Sequence, residues 1–214
     1  LAMSGVDGVG ALRFLAMREE RIIEQVAGDA QVVRTLARAF QDDPGLSWLL
    51  PDPEIRARRL VPFFRVMQAQ SQRQGEALAS PGREAASLWY PPGVVKHSVM
   101  QDLRDNLAMV GVFRTALGRG LKLADAMYAQ HPSPQPYWYL RYVGVAPEAQ
   151  GKGWGSARVR TGIARAASQG CGVSLETATP ANVAIYSRLG FEITSEWDAP
   201  GGGPHFWTMV RPLD

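Results

Sequence analysis

The segment Gln150-Gly151-Lys152-Gly153-Trp154-Gly155-Ser156 constrains this chain more than any other. It follows an aromatic and β-branched run, Tyr137 to Val145, which reads as a strand. It precedes a helical pattern from about Gly153 to Ser168. Glycines between strand and helix let the backbone approach a ligand with its N–H groups turned outward. The helix start adds roughly half a positive charge. Together these suit a phosphate or pyrophosphate. The plain alternative is a glycine-rich connection that holds nothing.

The rest of the chain alternates between strand and helix periods. Arg21 to Ala27 reads as a short strand. Asp29 caps a helix with Val32, Val33, Leu36, Ala37 and Phe40 on one face, and the turn Asp42-Asp43-Pro44-Gly45 stops it. Asp52 caps a second helix, with Pro53 at its first position and Ile55, Leu60, Phe63, Phe64 and Met67 as its buried stripe; Gly75 ends it. Glu76 to Ser80 and Ala85 to Tyr90 form a hairpin across Pro81-Gly82. Residues 97–130 read as helical, with stripes Leu103, Leu107, Val110, Phe113 and then Leu117, Leu121, Ala124, Met127. After the glycine turn and its helix come a strand Val173 to Thr177, a short helix Pro180 to Arg188 ended by Gly190, and strands Phe191 to Trp197 and Phe206 to Val210. Residues 1–18 are expected to be a flexible lead-in, and 19–214 a single domain.

Composition narrows the function classes. With 46% hydrophobic and 20% charged residues, the 214-residue chain has ordinary globular usage, which excludes disorder throughout. No apolar run approaches the roughly 20 residues of a membrane span. The net charge, 23 − 20 = +3, is small and dispersed; Arg56, Arg58, Arg59 and Arg65 read as one solvated helix face, so no nucleic-acid partner is expected. One cysteine, Cys171, and three separated histidines (His97, His131, His205) leave no disulfide framework and no metal site. The expected setting is cytoplasmic, as a monomer or homodimer.

Three phosphate-binding patterns compete for the turn. A P-loop needs Ser or Thr after Gly-Lys, but Gly153 follows Lys152. The dinucleotide fingerprint is nearly met by Gly151, Gly153 and Ser156, with Glu176 imitating the ribose-binding acid. That fold needs several further βα units, and only 214 − 176 = 38 residues follow Glu176. The third pattern, Q/R-x-x-G-x-G/A, is met by Gln150, Gly153 and Gly155.

With this third pattern a resemblance emerges. V-G-V-A-P-E-A-Q-G-K-G-W-G-S (143–156) resembles motif A of the GCN5-related N-acetyltransferase (GNAT) family, and T-P-A-N-V-A-I-Y-S-R-L-G-F (179–191) resembles its motif B. F-W-T-M-V-R-P near the end also fits. Within the family the chain is most similar to the puromycin N-acetyltransferase type, sharing the flow from L-E-T through Tyr to L-G-F. The detailed likeness covers about a third of the chain. It implies an α/β fold, with a mixed, mainly antiparallel sheet of about six or seven strands flanked by helices. It makes 97–130 a helical insertion relative to the minimal family core.

The resemblance also implies acetyl-CoA as cosubstrate. Val143 and Val145 would meet its pantetheine and acetyl parts through their backbone. Gln150, Gly151, Lys152, Gly153, Trp154, Gly155 and Ser156 would cradle the pyrophosphate. Lys152 adds a charge there or simply faces solvent; Trp154 packs on the cofactor or on neighbouring protein. Asn182 bonds the pantetheine arm or caps its helix. Tyr186 matches the tyrosine that donates to the CoA sulfur, with core packing beside Leu189 and Phe191 as the alternative. Glu176 is the candidate general base or else a structural carboxylate; His131 is the second candidate base or, on the plainer reading, a surface histidine at a helix end. The implied reaction is direct acetyl transfer to the primary amine of a small molecule. An acyl-CoA-binding regulatory protein is the alternative, and a dinucleotide oxidoreductase is more distant. Antibiotic, polyamine, amino acid and peptide amines all stay open as acceptors. The insertion is expected to wall the acceptor pocket opposite Trp89, Tyr90 and the turn near Trp48, or else to cover the sheet or form a dimer contact.

Overall fold

The computed structural model describes residues 24–25, 28–94, 103–132 and 136–213. The expected lead-in, most of the strand Arg21 to Ala27 and residues 97–102 of the helical segment lie outside these.

Three aspartates open the first three helices, α1 (Ala30–Ala39), α2 (Pro44–Leu49) and α3 (Pro53–Gln74). Each carboxylate accepts a first-turn backbone N–H that has no partner within its helix. Asp29 accepts from Gln31 at 2.8 Å, Asp43 from Leu46 at 2.9 Å and Asp52 from Ile55 at 2.9 Å. Helix α2 corrects the reading of Asp42 to Gly45 as a plain turn. Asp43-Pro44 is also a cap followed by proline at the first helical position, and here that role prevails. Two expectations for α3 also change. Ile55 is 40% exposed, so the buried stripe begins at Leu60. Its arginines are not one solvated face: Arg56 is buried and donates to the carbonyls of Gln41 and Leu50, each at 2.6 Å.

Strands β1 (Glu24–Gln25), β2 (Glu76–Ala79), β3 (Ala85–Tyr90), β4 (Tyr137–Val145), β5 (Gly172–Thr177), β6 (Glu192–Asp198) and β7 (His205–Arg211) form one sheet, in the order β1-β2-β3-β4-β5-β7-β6. Only β4 and β5 run parallel. This is the mixed, mainly antiparallel architecture expected.

Helices α4 (Leu103–Phe113) and α5 (Leu117–Ala129) are joined by a 3₁₀ turn, Arg114–Ala116. That turn interrupts the 3.6-residue period, and the expected stripes hold only in part. Phe113 is buried, but Leu107, Val110 and Leu121 are exposed; Val112, Ala116 and Leu123 take the buried places. Helix α6 (Trp154–Ser168) and helix α7 (Pro180–Ser187) complete the set.

The apolar residues divide into two cores. One joins α1–α5 to one side of the sheet through Leu36, Leu60, Phe63, Phe64 and Leu88. The other joins Trp89, Leu140, Val159, Leu175 and Tyr186. Trp89 therefore does not face the acceptor side as expected. Its ring lies against α6 so closely that a Cβ on Gly162 would come within 2.1 Å of it. Trp48 packs beside Gly203, under the Arg119 guanidinium at 5.5 Å.

Strand β4 is irregular on both of its edges. The parallel pairing with β5 lasts only from Tyr137 opposite Gly172 to Tyr139 opposite Ser174, and beyond it the strands part. Against β3, Leu140 pairs with Trp89 and Tyr142 with Leu88, so Arg141 is an extra, unpaired residue: a β-bulge.

Candidate active site

Where β4 and β5 part, a cavity of about 390 Å³ opens. Strand β4 supplies Leu140, Arg141, Tyr142 and Val143; across the gap stand Leu175, Glu176 and Thr177 of β5. Helix α7 adds Asn182 and Tyr186. The far wall is Phe63, Met67 and Gln70 of α3, with Met109, Phe113, Leu121 and Met127 from the α4–α5 segment. Val110 and Leu121, each about half exposed, border the cavity.

Glu176 has a side chain only 1% exposed. Neither carboxylate oxygen accepts a hydrogen bond of good geometry among the described residues. Burial penalises its ionised form and raises its pKa to about 7, against a smaller opposing pull from the nearby Tyr139 phenol. A carboxyl poised near neutrality can both take and release a proton at working pH. His131 stands alongside, its Nδ1 4.0 Å from Glu176 Oε1, too far for a hydrogen bond. Its ring packs edge-on to Tyr139, and desolvation lowers its pKa, favouring the neutral imidazole. The two candidate bases, separated by 45 positions in sequence (176 − 131), are thus neighbours.

Tyr186 is buried, edge-on to Phe191 with centroids 5.7 Å apart. Tyr186 lines the same cavity, and its hydroxyl makes no hydrogen bond among the described residues. Burial raises its pKa, so the phenol keeps its proton. It therefore has the packing role and a free donor at once. The Asn182 side chain donates to Thr177 Oγ1 at 3.4 Å, fixing the start of α7 to the end of β5.

Val145 and the Gln150–Ser156 turn are not among the residues that line this cavity; they follow Val143 at the C-terminal end of β4. Gln150 donates to the Val145 carbonyl at 3.3 Å, and Lys152 to the Glu148 carbonyl at 3.1 Å. Gly151 and Gly153 take φ of +74° and +82°, left-handed conformations that β-carbon-bearing residues rarely adopt. A Cβ on either would meet nothing within 4 Å. The glycines are thus required by backbone shape, and the space before them is open. Gly153 is the N-cap of α6 and offers no side chain to its first-turn N–H groups. Trp154 is partly buried on α6.

Sequence reasoning missed Arg141, Tyr139 and Asp43. Arg141 carried a signal, as the single charge in the run Tyr137–Val145. Tyr90, expected on the pocket wall, lies behind it: fully buried, with its hydroxyl bonded to Arg141 and, at 3.4 Å, to Gln70. Among the described residues no group of three or more His, Cys, Asp or Glu can hold a metal ion, and no helix is long and apolar enough to cross a membrane.

Comparison with known proteins agrees with this geometry. The model of the acetyltransferase (GNAT) family matches residues 98–191, which include the turn, Glu176, Asn182 and Tyr186. A Corynebacterium glutamicum structure, described as histone acetyltransferase HPA2 and related acetyltransferase, is 25% identical, with a TM-score of 0.67 over 90% of this chain and 96% of its own. Arylalkylamine N-acetyltransferase 2 of Aedes aegypti shares the fold at 13% identity, with a TM-score of 0.52 over 90% and 98% of the two chains. An agmatine N-acetyltransferase does so at 16%, with a TM-score of 0.50 over 90% and 99%. The family match over residues 98–191 and the 25% identical Corynebacterium glutamicum structure make the chain similar to GNAT acetyltransferases and mark it as an acyltransferase enzyme.

Proposed function

We propose that the protein transfers the acetyl group of acetyl-CoA directly to the primary amine of a small molecule. The observation that carries this reading is the meeting of Glu176 and Tyr186 in one cavity: a buried carboxyl near neutrality and a protonated phenol with a free hydroxyl. A protein that only bound acyl-CoA would need neither. The likeness to the puromycin N-acetyltransferase type, carried by Leu175-Glu176-Thr177 and Tyr186 to Phe191, and the small-amine acceptors named for two neighbours point the same way. A cytoplasmic setting is part of the proposal.

The residues present fit acetyl-CoA. Open backbone at Gly151 and Gly153 and the uncapped start of α6 suit its pyrophosphate. The parted edges of β4 and β5 leave backbone near Val143 and Val145 for its extended arm. Bound there, it supplies an activated thioester. Glu176, alone or through His131 and water, takes the proton of the acceptor ammonium and releases a neutral amine. Tyr186 holds a proton at its hydroxyl oxygen for the departing sulfur. The apolar helical wall excludes water, which competes with the amine.

The direct test is thermal shift with acetyl-CoA, CoA, NAD and ATP. Acetyl-CoA and CoA are expected to raise the melting temperature; a shift by NAD alone would replace this reading with the dinucleotide one.

Glu176→Gln has two expected signatures. A base of pKa about 7 must be ionised to act, so wild-type rate rises with pH through that value and levels off. The variant loses that rise and recovers part of its rate at higher pH, where more acceptor is already neutral. The second signature is in stability. The folded pKa lies above the ordinary 4.5, so this group's contribution is fully present below 4.5 and is lost as pH rises through about 7. The loss is on the order of 3 kcal/mol. Melting curves across this window should be flatter for Glu176→Gln. A pH–rate profile identical to wild type would move the base role to His131.

A further inference from the structure

We propose that the acceptor is an amine with an apolar body and a carboxylate, and that Arg141 holds the carboxylate. This rests on the acetyl-transfer reading and names its substrate class. Arg141 is the bulge residue of β4 and lines the cavity. Its surroundings are neutral. Nη1 donates to Gln70 Oε1 at 2.8 Å and to the Tyr90 hydroxyl, and the rings of Tyr90 and Tyr142 lie 5.0 and 5.7 Å from the guanidinium. Among the described residues Arg141 forms no ion pair. A cation drawn out of water is costly unless a counter-charge meets it.

Neither carboxyl in the cavity plays that part. Asp43 spends one oxygen on capping α2 through the Leu46 N–H, and burial raises its pKa. Glu176 owes its raised pKa to desolvation and feels Tyr139 rather than Arg141. Both hydrogen bonds of good geometry leave from Nη1, and the Tyr142 phenol also lies close to the guanidinium; neither Nε nor Nη2 makes a bond of good geometry among the described residues, so that edge of the fork can take a ligand. That edge matches the two oxygens of a carboxylate. The anion is not the cofactor pyrophosphate, whose proposed cradle lies outside this cavity. A single guanidinium among Phe63, Met67, Phe113 and Met127 suits a monoanion on an apolar body better than a phosphate dianion.

The experiment compares matched acceptors on the full chain by release of free CoA: para-aminomethylbenzoate against para-aminomethylbenzamide, and L-phenylalanine against L-phenylalaninamide. The carboxylate member should be favoured roughly 10- to 100-fold in kcat/KM, mostly through KM, as expected for a charge-assisted bond in a desolvated site. Arg141→Gln should abolish the preference, and Arg141→Lys should keep part of it. A second readout needs no turnover: phenylbutyrate should raise the melting temperature more than phenylbutyramide, and Arg141→Gln should equalise them. Equal response to both members of each pair in the wild-type protein overturns the proposal, as does a preference undiminished in Arg141→Gln. If acetyl-CoA itself fails to bind, the acetyl-transfer reading falls, while the phenylbutyrate comparison still decides the Arg141 site.

Discussion

Gly153→Asp is expected to abolish measurable acetyl-CoA binding while the protein stays folded. Two effects act together. Residue 153 sits at φ +82°, where a β-carbon costs roughly 1–2 kcal/mol. The larger effect is charge: a carboxylate placed at the start of α6 occupies the field meant for phosphate and repels it. Gly153→Asn separates the two, since asparagine tolerates left-handed backbone and carries no charge. Titration calorimetry should show a modest loss for Asn and a loss of at least about a hundredfold for Asp. Undiminished affinity in folded Gly153→Asp would remove the phosphate assignment from this turn.

Tyr186→Phe is expected to lower turnover by roughly 10²–10⁴-fold, the usual worth of a positioned general acid. The ring stays, so the packing against Phe191 survives and stability should change little. Acetyl-CoA affinity should also hold, because a hydrogen bond to a neutral thioester is weak and strengthens only as charge gathers on sulfur. Single-turnover kinetics alongside calorimetry distinguish the cases. Full activity would mean that the thiolate leaves unassisted or finds another acid.

The sheet and the glycine turn were legible because their signals are local. Gln150 to Ser156 lies between a β-branched run and a helical period, and the φ values at 151 and 153 are ones that glycine adopts far more readily than other residues. Other features were not legible in the same way. Asp43-Pro44-Gly45 has two local readings, turn or helix start, and only packing decides between them. Leu107 and Val110 keep helical spacing but are not buried; Val112 and Phe113 take the buried places in α4, and spacing alone does not say which face packs. The raised pKa of Glu176 depends on burial within a cavity built by distant segments. Arg141 acquires its place from a register slip against β3, which no pattern within β4 reveals.

The separation of the glycine turn from the cavity bears on how such a chain can diversify. The wall facing Glu176 comes from α3 and the α4–α5 segment, while the turn belongs to the β4–α6 junction. Met109 and Met127 on that wall have soft side chains that repack around differently shaped neighbours. Val110 and Leu121, each about half open to water, are held by less of the interior than the buried wall residues. Substitutions there can remodel the chamber at small energetic cost and without touching the glycine turn proposed to meet the phosphates. On the proposed function, a lineage can thus trade one acceptor for another while the donor site stays fixed.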